Sequence, residues 1–301
     1  MPTVKHRTLP AAAGADRGAS WTRLCAVDSR GRVLERDRLP TRKIEIFPRM
    51  IKDFLDRCGA PPGVPLFAAT RGAFSKTWKK ELITAALAGR ADVVGVISDA
   101  EAAYEAALGK GRGLLLIAGT GSVALAPDGR GGFIKAGGHA PEGGDPGSGL
   151  WLGLAWLKLK RRKAPAGAGG AGKAAAFAAE AVKKAREGDA AALELAERAW
   201  AELAVLAAEL RGDGFLPGGP GPLPVALWGG LTDDAWFSEG LARALEKRLA
   251  RRIKVFRPSQ PPELFCALKA LGSSKGIRKQ RGRREVSGHT AASRRVFRKA
   301  T

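Results

Sequence analysis

Two short segments hold the residue types that phosphate chemistry needs. The first runs Gly14, Ala15, Asp16, Arg17, Gly18, Ala19, Ser20. A tight turn with a small hydroxyl residue lets backbone N–H groups approach phosphate oxygens, and a carboxylate at its start, Asp16, can hold a magnesium ion through water. The second is Gly119, Thr120, Gly121 and Ser122, directly after the apolar run Leu114–Ala118. Its glycines remove side chains that would block a phosphate, and Thr120 and Ser122 add hydroxyl donors. Each segment is also explained by an ordinary hairpin turn. What favours chemistry is their equivalent place in a repeated order of elements, so that they would face one another across a cleft.

The elements that must position these turns can be read from hydrophobic spacing. Thr22–Asp28 predicts a strand, Ser29–Arg32 a turn, and Val33–Arg38 its hairpin partner. Ile44–Cys58 has helical spacing, Val64–Thr70 reads as a buried strand, Ser75–Leu87 as a helix and Val93–Ser98 as a strand. The order then starts again, with strands at Gly113–Ala118, Val123–Ala126 and Phe133–Ala136. Asp28 with Gly31 and Asp128 with Gly131 mark equivalent hairpin turns, which predicts a duplicated lobe. Lys158–Lys173 reads as a flexible loop, followed by helices near Ala174–Arg186 and Ala190–Arg211, the second capped by Asp189. Val225–Trp228 is a strand, Asp233–Leu249 a helix capped by Thr232, Ile253–Phe256 a strand and Glu263–Leu271 a last helix.

At 301 residues and 45% hydrophobic content the chain can bury one large core or two ordinary ones. No stretch reaches the ~18 apolar residues of a membrane span, and Met1–Gly14 has no apolar core of a signal peptide, so a cytoplasmic protein is expected. Cys25, Cys58 and Cys266 lack paired spacing, which argues against a disulfide framework and predicts small buried residues. The net charge of +22 is uneven: residues 273–301 hold ten Lys or Arg and one acid, Glu285. That tail has few apolar residues to bury and is expected to be disordered, either a solubilising extension or an arm for nucleic acid or another polyanion.

The run Leu114–Ser122, the DGRGG turn, Ala136–Gly138, and Gly144, Asp145, Pro146, Gly147, Ser148, Gly149 and Trp151 together resemble the central block of the BadF-type ATPase and N-acetylglucosamine kinase family. The resemblance extends to Asp16–Ser20, Ser98–Ala103 and Leu227–Leu231, and covers most of residues 11–272. It implies an α/β fold of two ribonuclease H-like lobes, the actin, hexokinase and Hsp70 type, around an interlobe nucleotide cleft. The implied division is an N-terminal extension 1–10, a first lobe 11–110, a second lobe 111–272 with a helical insertion 158–211, and a tail 273–301, the last helix 261–272 packing back on the first lobe.

The activity implied is ATP-dependent phosphorylation of a sugar hydroxyl, on N-acetylglucosamine or a related amino sugar, with magnesium. By the resemblance Asp16 organises the metal, Gly18, Ala19, Ser20 and Gly119–Ser122 hold the phosphates, and Gly229 and Gly230 sit against adenosine. Asp99 would be the general base facing the acceptor hydroxyl; read alone, it could cap a helix starting at Ala100. Asp145, Gly138, His139 and Thr120 fall on the sugar side, with helix capping again the plain alternative for Asp145. The chain departs from the family at Arg17, Ala19 and Ser20, where glycine and threonine are usual, and Arg17 either crowds the phosphates or adds positive charge to them. It also departs at Arg42 and His139, where asparagine and tryptophan are usual, so the acceptor can differ.

Competing readings are a non-catalytic ATP-binding homologue whose basic tail contacts a polyanion, and an activator ATPase of 2-hydroxyacyl-CoA dehydratases. The latter needs paired cysteines for an iron–sulfur cluster, and the three here match no such positions. The sequence leaves the oligomeric state open, a homodimer included.

Overall fold

The computed structural model describes residues 8–139, 142–167, 169–212, 221–258 and 260–273. The described residues divide into two compact units, one of 8–17, 22–97 and 263–273, the other of 18–21 and those between 98 and 262. The expectations for residues 1–7 and for the basic tail from 274 onward lie outside the described residues.

The first unit contains β1 (Ala12–Arg17), β2 (Trp21–Val27), β3 (Val33–Pro40), α1 (Phe47–Arg57), β4 (Val64–Thr70), α2 (Trp78–Leu87) and β5 (Ala91–Ile97). Its sheet order is β3-β2-β1-β4-β5, antiparallel through the hairpin and parallel from β1 to β5. Strand side chains alternate between faces, and β1 uses this with small residues. Ala13 and Ala15 enter a core with Phe47, Ile51, Phe54 and Leu55 of α1, while Gly14 turns to the other face. There a helix spanning 262–273, here α8, crosses so closely that a methyl group on Gly14 would collide with the backbone at Glu263 and Ala267.

The second unit contains α3 (Asp99–Leu108), β6 (Leu114–Ala118), β7 (Ser122–Pro127), β8 (Phe133–Gly137), α4 (Gly149–Leu159), α5 (Gly170–Arg186), α6 (Ala190–Gly212), β9 (Leu223–Trp228), α7 (Ala235–Leu249) and β10 (Ile253–Phe256). Its sheet order, β10-β9-β6-β7-β8, is that of the first unit strand for strand. The two hairpin turns match atom for atom. Asp28 Oδ1 accepts from the Arg30 and Arg32 amides at 2.9 Å, and Asp128 Oδ1 from the Arg130 and Gly132 amides at 2.8 Å. Gly31 and Gly131 take the left-handed turn position at φ 80° and 92°.

Four boundaries differ from the sequence expectations. The division falls at Ile97/Ser98, not 110/111, because α3 packs on β6, β7 and β9 of the second unit, and Tyr104 donates from its hydroxyl to Gly111 O at 2.7 Å. α2 starts at Trp78 rather than Ser75. α7 starts at Ala235, capped by Asp234, whose Oδ1 accepts from Phe237 N at 3.0 Å; Thr232 instead donates to Gly229 O at 2.8 Å. The loop expected over 158–173 is shorter, since α4 runs to Leu159 and α5 begins at Gly170. Asp189 does accept from Ala192 N at 2.9 Å, ahead of α6.

Cys25, Cys58 and Cys266 are all buried. Burial pushes the Cys25 and Cys58 thiols above their ordinary range, an effect that Arg36 partly offsets at Cys25. The reactive thiolate is therefore scarcer than in a free cysteine. We expect no fast reaction of the native protein with a thiol reagent at neutral pH and three equivalents after denaturation; a rapid native equivalent contradicts this. Gly14→Ala should lower stability by about 3 kcal/mol in urea melts through overpacking against α8. Gly143→Ala, with nothing within 4 Å of the added methyl, should stay within about 0.5 kcal/mol of the parent.

Candidate phosphate-binding site

The turn joining β6 to β7 is held from one side by the start of α4. Gly149 N donates to Gly119 O at 2.6 Å and Leu150 N to Thr120 O at 3.3 Å. These are first-turn amides that the helix itself cannot satisfy. No peptide bond among the described residues is cis. In a trans peptide C=O and N–H point in opposite directions, so turning the Gly119 and Thr120 carbonyls toward α4 turns the Thr120 and Gly121 amides away from it. Those two amides make no hydrogen bond among the described residues.

The turn is braced further at its end. Gly119 N donates to Gly121 O at 3.0 Å, Ser122 Oγ donates to Pro146 O at 2.9 Å, and Asp145 Oδ2 accepts from Ser122 N at 3.3 Å. Asp145 is buried, and a methyl group at Gly121 would lie 2.6 Å from its Oδ2. The capping alternative for Asp145 is not realised: Ser148 caps α4, its Oγ accepting from Trp151 N at 3.2 Å. Gly138 N donates to Ser122 O at 2.9 Å, and His139 beside it is exposed.

The β1–β2 tip, Gly18–Trp21, groups with this same unit. Gly18 N donates to Trp21 O at 3.0 Å, and the Ala19 and Ser20 amides make no hydrogen bond among the described residues. Ser20 Oγ lies 3.0 Å from Thr120 Oγ1, which brings the two turns together. The start of α5 lies next to them, a methyl at Gly172 falling 3.9 Å from Ser20 Oγ. That neighbour was missed, because its Gly-rich start has the composition of a loop; only the Ala-rich run after it signals a helix.

Gly229 joins the group from the β9–α7 connection. It sits at φ 111°, where a methyl would lie 2.5 Å from Ala118 O, and Leu231 N donates to that same oxygen at 3.1 Å. Packing on the turn thus accounts for Gly229, while Gly230 has open space beside its Cα.

Asp16 and Asp99 stand on other elements. Asp16, on β1, is buried and ion-paired with Arg23 at 3.2 Å. Asp99 is the first residue of α3, its Oδ1 accepting from Ala100 N at 3.0 Å. The cap belongs to Ser98, which forms a reciprocal capping box with Glu101. Arg17 does not enter the phosphate turn; Nη2 donates to Arg42 O at 2.6 Å and Nη1 to Thr70 Oγ1 at 3.5 Å.

No protein-family model and no curated protein matches this sequence. Solved structures match in three dimensions. The chain is similar to a candidate N-acetylglucosamine kinase from Chromobacterium violaceum, with TM-score 0.63 and 20% identity over 88% of this chain and 99% of that one. A candidate N-acetylmannosamine kinase from Listeria monocytogenes gives TM-score 0.63 and 17% identity over 87% and 99%. The ROK hexokinase from Thermus thermophilus gives 0.56 and 19% over 87% and 99%. The fold is therefore the two-lobed, actin-like ATPase fold expected from the sequence.

The brace predicts a measurable coupling. Gly121→Ala should destabilise the protein by about 1–3 kcal/mol through its clash with Asp145, and Asp145→Ala by a similar amount because the Ser122 amide loses its acceptor. In the double variant the clash is gone, so the combined loss in a urea melt should fall short of the sum by about 1 kcal/mol. Strict additivity would mean that Asp145 does not support the turn.

Proposed function

We propose that this protein is an ATP-dependent kinase that phosphorylates a hydroxyl of a sugar, N-acetylglucosamine or a related amino sugar. The observation that carries the reading is the pair of consecutive amides, Thr120 and Gly121, turned outward by α4 and flanked by the Ser20 and Thr120 hydroxyls. Peptide N–H groups arrayed this way suit phosphate oxygens, and phosphoryl transfer asks a protein mainly for alignment and charge stabilisation. The names carried by the similar structures support the same activity class.

The triphosphate fits the residues present. Ala19, Ser20, Thr120 and Gly121 would donate backbone hydrogen bonds, and Ser20 and Thr120 hydroxyl ones. Among the described residues no three His, Cys, Asp or Glu side chains converge as a metal cage. Magnesium in nucleotide sites takes much of its shell from phosphate and water, with one or two carboxylates. Asp16 is the carboxylate we propose for it; with Oδ2 facing Arg23, it acts through water. A bound ion would supply neutralisation of phosphate charge.

Asp99 is the proposed general base. Because Ser98 and Glu101 satisfy the start of α3, the Asp99 carboxylate is not needed as the helix cap. It would accept the proton of the acceptor hydroxyl as that oxygen attacks phosphorus. The dehydratase-activator reading is disfavoured by the burial of all three cysteines. A cytoplasmic location is part of the proposal; no helix among the described residues is long and apolar enough to cross a membrane.

The test is ADP release from magnesium-ATP across a panel of sugars and amino sugars. Sugar-stimulated release is expected. Asp99→Asn should reduce that turnover by about 100-fold or more while leaving nucleotide affinity within about twofold. Nucleotide binding with a flat response to every sugar would instead favour a regulatory ATP-binding protein.

A further inference from the structure

The first unit concentrates basic side chains at the carboxyl ends of β1 and β4, and the kinase reading uses none of them. Arg17 and Thr70 close these two strands as register partners. Arg17 is 8% exposed, and both its Nε, at 3.2 Å, and its Nη2, at 2.6 Å, donate to the carbonyl of Arg42. Its own carbonyl accepts from Arg71 N at 2.9 Å. Lys79 Nζ in turn donates to Arg71 O at 2.8 Å. Arg17 thus holds the loop after β3 through its buried guanidinium and the loop after β4 through its backbone carbonyl, and the side chains Arg42, Lys43, Arg71 and Lys76 of these loops are exposed.

Several arginines of this unit are neutralised by carboxylates. Arg32, Arg49, Arg57 and Arg90 each face an aspartate, at Asp28, Asp53, Asp37 and Asp56. Among the described residues, none of Arg42, Lys43, Arg71 and Lys76 has an ion pair, and neither Glu45 nor Glu81, the acids of the adjoining helical turns, forms one with them. Like charges held together without counter-charge repel, and a bound anion relieves that repulsion. The position is informative as well, because parallel strands of an α/β sheet present small ligands at their carboxyl ends.

We infer that this cluster binds the carboxylate or phosphate group of a small anionic ligand, with Arg42 and Arg71 as its principal contacts. Guanidinium groups suit such planar or tetrahedral oxyanions by paired N–H donation. Arg17 acts as a positioning residue that holds the Arg42 loop.

The binding claim is tested without nucleotide, by calorimetric titration of the full chain. The probes are N-acetylglucosamine against its phosphate monoester, and glucose against glucuronate. A charged probe should bind about tenfold or more tightly than its neutral counterpart, as a charge-assisted pair provides. An Arg42→Gln, Arg71→Gln double variant that melts like the parent should lose that advantage, and removal of residues 274–301 should leave it intact. Equal affinity for charged and neutral probes, an advantage that survives the double variant, or one that disappears with the tail overturns the site. Because the readout needs no ATP, failure of phosphoryl transfer leaves the binding result standing. Turnover of neutral sugars with equal binding of both probe classes sinks only this inference.

Discussion

The candidate site depends on one geometric constraint, the rigidity of the peptide unit. When α4 captures two successive carbonyls of the β6–β7 turn, the planar trans peptides leave the Thr120 and Gly121 N–H groups no direction but the opposite one. The arrangement satisfies helix amides at one side and prepares donors at the other. Each bond contributes only about 1 kcal/mol net, but their joint effect is orientation, and orientation is what an anion requires of neutral donors. Asp145 and Ser122 complete the brace at the end of the turn, so that an acidic residue in the group supports the backbone.

The duplicated sheets show how one backbone plan can serve different tasks. Both units repeat the order of strands and the aspartate-closed hairpin turn. At the opposite end of those hairpins they diverge. The first tip has an extra residue and reaches over with Ser20 to Thr120, whereas the second is tight and anchored on a helix. On β1, Asp16 is paired with Arg23, and Arg17 is committed to the loop at Arg42. Polar residues that look alike in sequence thus divide between holding backbone and facing solvent.

What could be read from sequence follows the range of the interactions. The hairpin turns were legible because Asp28 and Asp128 close them through amides two and four residues on. The strands around them were legible through apolar alternation, and α6 through its Ala- and Leu-rich period. The support that Asp145 gives the turn was not legible, because its partner, Ser122, is 23 residues away. Thr232 lost the cap of α7 because its hydroxyl closes the preceding turn on Gly229, leaving Asp234 to do it. Arg17 could be placed near a phosphate turn, but nothing local reveals that its guanidinium reaches 25 residues along the chain to Arg42. The general base and the ligands rest on resemblance and proposal, since no backbone pattern encodes them.

Gly14 has a consequence for the order in which the chain can mature. The strand it belongs to is made on the ribosome well before the helix that covers it, 262–273. α3, which directly follows the first sheet in the chain, is packed with the second unit. The earlier-made sheet therefore waits with one face uncovered until that helix is made, while the later-made unit can close first. Exposed apolar strands during that delay are what chaperones guard, so the codons for residues 262–273 carry the step that completes the first sheet.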